Sequence, residues 1–116
     1  TSHSVLLRAS GEHSGDAYDL NAVMSDDGLV DSIANGKILM DLVKAVHQGG
    51  TENLAAARNT VRALMGDSAF VDICATIASF SAVVKIADGT GIPLEDYKEE
   101  ASHDIREALS INKFRT

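Results

Sequence analysis

The clearest pattern of apolar and polar positions runs from Gly66 to Pro93. About twenty residues of this stretch contain no glycine or proline and repeat apolar side chains at helical spacing, which predicts one long central helix over residues 68–88. Two narrow polar stripes on opposite faces separate two apolar flanks. The first flank holds Phe70, Ile73, Ile77, Phe80 and Val84, and the second holds Val71, Cys74, Ala78, Ala82 and Ile86. Because a helix that is apolar on two sides must be covered on two sides, we expect it to be the most buried helix, with part of its cover supplied by a second subunit.

Helical spacing also accounts for most of the remaining chain. The sequence predicts a helix end over residues 1–10, a polar loop from Gly11 to Gly15, and helices or helical turns over residues 16–28, 29–36, 37–47, 52–65 and 94–109. Thr51 is the expected N-cap of the helix over residues 52–65. No stretch alternates like a strand. The expected fold is therefore all-α, a compact bundle of about five or six helices that forms one domain over residues 1–116.

Composition and charge limit the classes of partner. The 116 residues are 45% hydrophobic and 23% charged, which is typical of a globular chain. We expect a cytoplasmic protein without a membrane span, because we find no apolar run near the roughly 18 residues that a span needs. The net charge is −7, and all six charges between Ala9 and Gly36 are negative. Such a surface repels phosphate groups, so we expect neither nucleic acid nor an anionic membrane as partner.

Metal and thiol chemistry have few candidate residues. Cys74 is the single cysteine, which excludes an intrachain disulfide and a thiolate metal cage, and its apolar helix favours a buried structural role. His13, Asp16 and Asp19 are spaced at i, i+3 and i+6 and could clasp a metal on one helix face. A solvated loop histidine followed by two acids at a helix start explains the same residues. We therefore expect no metal and no cofactor.

Three segments resemble a known family. They are ALMGDSAFVDICATIASF over residues 63–80, KIADGTGIPLE over residues 85–95, and the preceding helix and turn ILMDLVKAVHQGGT over residues 38–51. Together they resemble the carboxymuconolactone decarboxylase family, which also contains the alkylhydroperoxidase D-type peroxidases. The resemblance covers about half of the chain. It implies the helical fold of that family and assembly into a homo-oligomer, as a dimer, trimer or hexamer.

The peroxidase branch of the family carries the motif Glu-x2-Cys-x2-Cys-x3-His at a helix start, where two thiols on one face form a disulfide. We expect the matching helix here to begin around Glu12 and to run through Tyr18. Two registers are possible: the motif positions fall on His13, Asp16 and Leu20, or on Ser14, Ala17 and Asn21. Neither register supplies a thiol, so the redox Cys-x2-Cys motif is missing and a dithiol peroxidase is excluded.

A second branch resembles decarboxylases of small lactone acids and often has a tyrosine followed by an acid on this helix. Tyr18 and Asp19 resemble that pair, although the following histidine is missing. Histidine is the side chain that titrates near neutral pH, so we predict His13 as acid and base, with Tyr18 and Asp19 as orienting groups. His47 is the second choice for the acid and base. Candidate contacts to a carboxylated substrate are Asp16 and Arg58.

Each of these residues also has an ordinary structural explanation, so two classes of function stay open. One is a cofactor-independent decarboxylase or lyase that acts on a small carboxylated substrate. The other is a non-catalytic oligomeric scaffold or small-molecule binding domain of the same fold. A closed pocket that holds two or more of the candidates His13, Asp16, Tyr18, Asp19 and His47 would favour the enzyme, and a filled or flat region would favour the scaffold.

Overall fold

The computed structural model describes residues 2–20 and 33–114. These residues form five α-helices and a short C-terminal 3-10 helix, and none of them lies in a strand, which confirms the all-α prediction. The arrangement typical of the resembled family stays a prediction. In chain order the helices are α1 (Ser2–Ser14), α2 (Gly36–Gln48), α3 (Thr51–Thr90), α4 (Asp96–Ala101), α5 (His103–Ala108) and the 3-10 helix (Ile111–Phe114).

The chain divides into two compact units. The first unit combines residues 1–36 with residues 93–116, and among its described residues the buried apolar side chains are Ile105 and Leu109. The second unit spans residues 37–92, and its buried apolar side chains are Leu42, Ala45 and Val61. The prediction of one domain over residues 1–116 stays a prediction.

Helix α1 differs from the sequence prediction. It continues through Gly11 to Ser14, where a loop was predicted. The helix ends because Gly15 takes a left-handed φ of 82°, a conformation that glycine adopts without steric cost. The chain then turns back, and the Asp16 N–H donates to the Gly11 carbonyl oxygen at 2.8 Å. Residues 15–19 are not helical. The helix predicted from residue 16 is therefore wrong over this stretch, and so is the end of the matching helix predicted over residues 12–18. The rest of the first of these, over residues 21–28, lies outside the described residues.

Helix α2 confirms the predicted helix over residues 37–47. Leu42 is fully buried and Ala45 nearly so, as the apolar stripe indicates. Gly49 and Gly50 have φ angles of 74° and 95° and form the turn to α3. Gly50 occupies the N-cap position of α3 without a side-chain hydrogen bond, so the prediction of Thr51 as N-cap is wrong.

Helix α3 contains both helices that were predicted between residues 52 and 88. Gly66 has φ 85° and ψ 168° and interrupts it, so that residues 51–65 form a proximal half and residues 67–90 form a distal half. Arg62 Nε donates to Asp67 Oδ1 across this break at 2.6 Å, and this bond holds the pKa of Asp67 below its ordinary value. The distal half ends at Gly91, whose left-handed conformation lets the following Ile92 N–H reach the Ala87 carbonyl oxygen at 3.3 Å.

The surface of α3 is far more exposed than the sequence indicated. Val61 is its one buried residue, whereas Val71, Phe80 and Ile86 are 62%, 45% and 60% exposed. The expectation that residues 68–88 form the most buried helix is therefore wrong within this chain. Helix α3 also includes an 18-residue window that is long and apolar enough to cross a membrane and is not buried. By length and composition this window is a candidate span, so the expectation of no apolar run near 18 residues is wrong.

The predicted closing helix over residues 94–109 is divided into α4 and α5 at Ser102. The fully buried Ser102 hydroxyl donates to the Lys98 carbonyl oxygen at 2.6 Å. Arg106, only 6% exposed, donates from Nε to Ser102 Oγ at 3.1 Å and from Nη2 to the Glu99 carbonyl oxygen at 2.7 Å. Its Nη1 donates to Asn112 Oδ1 at 2.8 Å. One buried guanidinium therefore connects α4, α5 and the 3-10 helix.

Candidate functional site

The predicted acid and base, His13, lies exposed in the last turn of α1. Asp16 follows after Gly15, is also exposed, and accepts a hydrogen bond from the Ser14 hydroxyl at 2.8 Å. This bond fixes the loop after α1. Within residues 2–20 and 33–114, no three metal-ligating side chains are grouped so that they could hold an ion.

Tyr18 is half-buried and packs on α1. Its ring lies so close to Gly11 that a Cβ added to Gly11 would be 2.9 Å from Cδ2 and 3.0 Å from Cε2. The Tyr18 ring can lie this close because glycine has no side chain at residue 11. This contact gives Tyr18 the structural role that was weighed against its predicted catalytic role.

Tyr18 and Asp19 both line an open cavity of about 320 Å³ in the first unit. Its lining comes from α1, from the loop after it and from the region of α5, and includes no histidine. The cavity is lined by two of the candidate residues, but it is an open surface depression, whereas a closed pocket would favour an enzyme. The lining residues are Arg8, Tyr18, Asp19, Leu20, Asp104, Ile105, Ala108 and Leu109.

Arg8 is the cation of this cavity, and it already has partners. Its Nη1 donates to Asp104 Oδ2 at 2.7 Å, and its Nη2 donates to the Ala101 carbonyl oxygen at 2.9 Å. The bond from Arg8, together with the Ile105 backbone N–H, holds the pKa of Asp104 below its ordinary value. A carboxylated ligand would have to displace Asp104 from this guanidinium. The arrangement is therefore better suited to joining α1 to the C-terminal helices than to binding an anion.

His47, the second choice, lies in the last turn of α2 in the second unit. Its Nδ1 is 2.9 Å from the Val43 carbonyl oxygen, and its Nε2 is 3.1 Å from Ser81 Oγ in the distal half of α3. The Ser81 hydroxyl is also 2.8 Å from the Ile77 carbonyl oxygen. Ser81 belongs to one of the two polar stripes of the predicted central helix. Its contact with His47 was not predicted, because periodicity assigns a residue to a helix face without showing which neighbour meets that face.

Arg58, the predicted substrate contact, is exposed on the proximal half of α3. A groove of about 430 Å³ lies between α2 and this half, but neither Arg58 nor His47 lines it. The groove is lined by Ile38, Asp41, Lys44, Ala45, Gln48, Asn53, Ala56, Ala57 and Thr60. Lys37 Nζ donates to Asp41 Oδ2 at its edge, at 2.8 Å. The second unit therefore contains a histidine and an arginine candidate, but does not place them in one pocket.

Comparison of the chain with protein-family models, curated proteins and solved structures finds no match. The resemblance to the carboxymuconolactone decarboxylase family accordingly stays a prediction from the sequence.

Proposed function

We propose that this chain is a homo-oligomeric helical domain, the scaffold class of the two considered, in which a second copy covers the distal half of α3. The observation that carries the proposal is the exposure of apolar side chains along a helix with no buried residue beyond Val61. Many exposed large apolar side chains along one helix are unusual on a monomer and mark a contact surface. Its large members are Val71, Phe80, Val83, Val84 and Ile86.

The spacing of the exposed flank favours another helix as the covering element. Val71, Ala75, Ala78 and Ala82 follow one another at steps of four, three and four residues, which is the spacing of a coiled-coil seam. All four are exposed, and the three alanines let a second backbone approach closely. A second copy brings an identical helix, so one self-complementary surface can serve both subunits. We name the exposed positions Val71, Ala75, Ala78 and Ala82 the alanine seam.

The charges on this helix favour a protein partner over a lipid bilayer. Asp72 and Lys85 lie within the apolar stretch, and an ionised side chain at the centre of a span costs about 2.5–3.5 kcal/mol. Asp72 lies on a polar stripe beside the alanine seam, where a pair of helices leaves it in water. The net charge of −7 also opposes binding to anionic lipid.

The decarboxylase hypothesis is supported by the family resemblance alone. Its predicted acid and base, His13, does not line the cavity that holds Tyr18 and Asp19. A small carboxylated substrate would meet Arg8 already bonded to Asp104. For these reasons we rank self-association above decarboxylation, and we propose it for a cytoplasmic protein that needs no cofactor.

Sedimentation velocity at micromolar concentration tests the proposal with two matched variants. Ala78→Glu places a charge in the alanine seam, whereas Ser79→Glu places the same charge one residue away on the exposed polar stripe. We expect the wild type and Ser79→Glu to sediment as the same oligomer, and Ala78→Glu to shift toward the 12.2 kDa monomer. A monomeric wild type would contradict the proposal, as would an equal effect of the two variants. Wild type that co-sediments with phosphatidylcholine vesicles would instead identify the exposed helix as a membrane contact.

A further inference from the structure

We propose that His47 and Ser81 form a base and nucleophile pair that accepts an acyl group from an activated ester or thioester. This activity is separate from self-association and uses neither the predicted acid and base His13 with Tyr18 and Asp19 nor the cavity beside Tyr18. The pair belongs to one unit and joins the end of α2 to the middle of the distal half of α3.

The hydrogen bonds fix the tautomer of His47 that a base requires. A carbonyl oxygen can only accept, so the 2.9 Å contact with Val43 places a proton on Nδ1. In the neutral ring, Nε2 then presents its lone pair to Ser81 Oγ at 3.1 Å. A nucleophile within hydrogen-bond reach of a base that a third group orients is the arrangement of activated serines. Here the third group is a backbone carbonyl.

The Ser81 hydroxyl has one proton and two acceptors in reach, the Ile77 carbonyl oxygen at 2.8 Å and His47 Nε2 at 3.1 Å. When the proton points to Nε2, the base can remove it as Oγ forms a new bond. Thr76 makes the same back-bond to the Asp72 carbonyl oxygen at 2.8 Å, and the described residues give it no histidine partner. Thr76 therefore provides an internal comparison for a hydroxyl of the same local geometry without a base.

The pair is open to small molecules. His47 is exposed and Ser81 is half-buried. Ser81 also lies roughly a quarter turn around the helix from the alanine seam, so it is not one of the seam positions. Lys85 follows Ser81 by four residues on the same helix face, and in the proposed reaction its positive charge stabilises the oxygen that becomes negative during acyl transfer.

The backbone N–H groups around Ser81 belong to a continuous helix and are bonded within it, so they do not form an oxyanion hole. We therefore restrict the substrate class to acyl groups with good leaving groups. Ser81 Oγ attacks the carbonyl carbon while His47 Nε2 accepts the hydroxyl proton. The bond to the leaving oxygen or sulfur then breaks, the leaving group keeps the electron pair, and Nε2 returns the proton to it. The products are an ester of Ser81 and a free alcohol or thiol.

The test treats the 116-residue protein with p-nitrophenyl acetate and measures p-nitrophenol release, intact mass and the modified residue by peptide mapping. We expect one rapid release per chain and one acetyl group on Ser81. His47→Gln should slow acetylation of Ser81 about 100-fold, the lower part of the range for loss of a general base. Ser81→Ala should abolish the rapid release.

The Ser81→Ala chain that also carries Thr76→Ser is the matched control, because it holds a back-bonded serine without a histidine. It should not regain the rapid release. Circular dichroism of every variant must show the helix content of the wild type. Lys85→Met is a further variant, which should slow the acetylation while Ser81 stays the modified residue. Acetylation of Ser81 at an equal rate in His47→Gln would overturn the proposal. Labelling confined to lysines, to the N-terminus or to His47 itself would also overturn it.

Discussion

The ring of Tyr18 lies directly against the backbone of Gly11. A Cβ at residue 11 would be 2.9 Å and 3.0 Å from two ring carbons of Tyr18, and 2.7 Å from the Asp16 carbonyl oxygen. Gly11 is buried within helix α1, where any residue could adopt the backbone conformation. The space beside it, rather than backbone freedom, is what requires glycine.

Gly11→Ala should therefore destabilise the protein even though alanine favours a helix. Moving the ring and the loop after α1 costs about 1–3 kcal/mol, as is usual for overpacking, against a gain of about 1 kcal/mol in helix propensity. We expect a lower free energy of unfolding in urea. Gly89 is the matched control, since it lies in α3 with open space around its α-carbon. Gly89→Ala should stabilise by about 0.4–1 kcal/mol, and stabilisation by both variants would contradict the contact with Tyr18.

Arg106→Lys should be far more damaging than the same exchange at an exposed arginine. The buried guanidinium donates to three groups, Ser102 Oγ, the Glu99 carbonyl oxygen and Asn112 Oδ1, and an ammonium cannot reproduce this planar fork. Hydrogen bonds to charged groups contribute about 1.5–3 kcal/mol each, so we expect a loss of about 2–4 kcal/mol in the free energy of unfolding. Arg58→Lys, at an exposed site, should change it by less than about 0.5 kcal/mol. Equal effects would show that the Arg106 bonds do not contribute to stability.

The ion pair between Arg8 and Asp104 should make stability depend on acid pH. The hydrogen bond from Arg8 lowers the pKa of Asp104 in the folded state relative to the unfolded state. The stabilisation from this ion pair is therefore fully present above the pKa of Asp104 in the unfolded state, near pH 4. It is lost as the pH falls through the lower pKa of Asp104 in the folded state. A double-mutant cycle of Arg8→Met and Asp104→Asn should give a favourable coupling at about pH 6 that weakens as the pH is lowered from about 4 through the folded pKa of Asp104. A coupling that stays constant over this range would contradict the assigned cause.

Local periodicity predicted the helices but not what covers them. The spacing of apolar residues gave the helix over residues 68–88, because the pattern depends only on backbone geometry. It also showed two apolar flanks, which require cover. Whether that cover comes from the same chain or from a partner is not encoded in the helix itself, so the predicted burial of Phe80 was wrong.

The start of the chain shows a different reason for error. Gly11 and Gly15 look alike as helix breakers, yet only Gly15 has a left-handed φ and ends α1. Gly11 lies inside the helix, and a glycine is needed there because the Tyr18 ring occupies the space where a side chain would be. That contact crosses the turn after α1 instead of following one helix, so helical periodicity does not predict it.

Prediction of the candidate site also lacked information on which helices pack together. His47 was selected because histidine titrates near neutral pH, and the sequence could support no more than that. Its partner Ser81 is 34 residues away on another helix. Their meeting depends on how α2 packs beside α3, which a pattern within either helix does not determine.

A second copy should cover the distal half of α3. An isotope-filtered NOE experiment measures this contact between copies most directly. Chains with ¹³C-labelled methyl groups are mixed with unlabelled chains, dissociated and reassociated, so that only contacts between copies are recorded. We predict NOEs from the labelled methyl groups of Val71 and Ile86 to protons of the unlabelled copy. The absence of such NOEs in a sample that tumbles as a 12.2 kDa monomer would contradict the account.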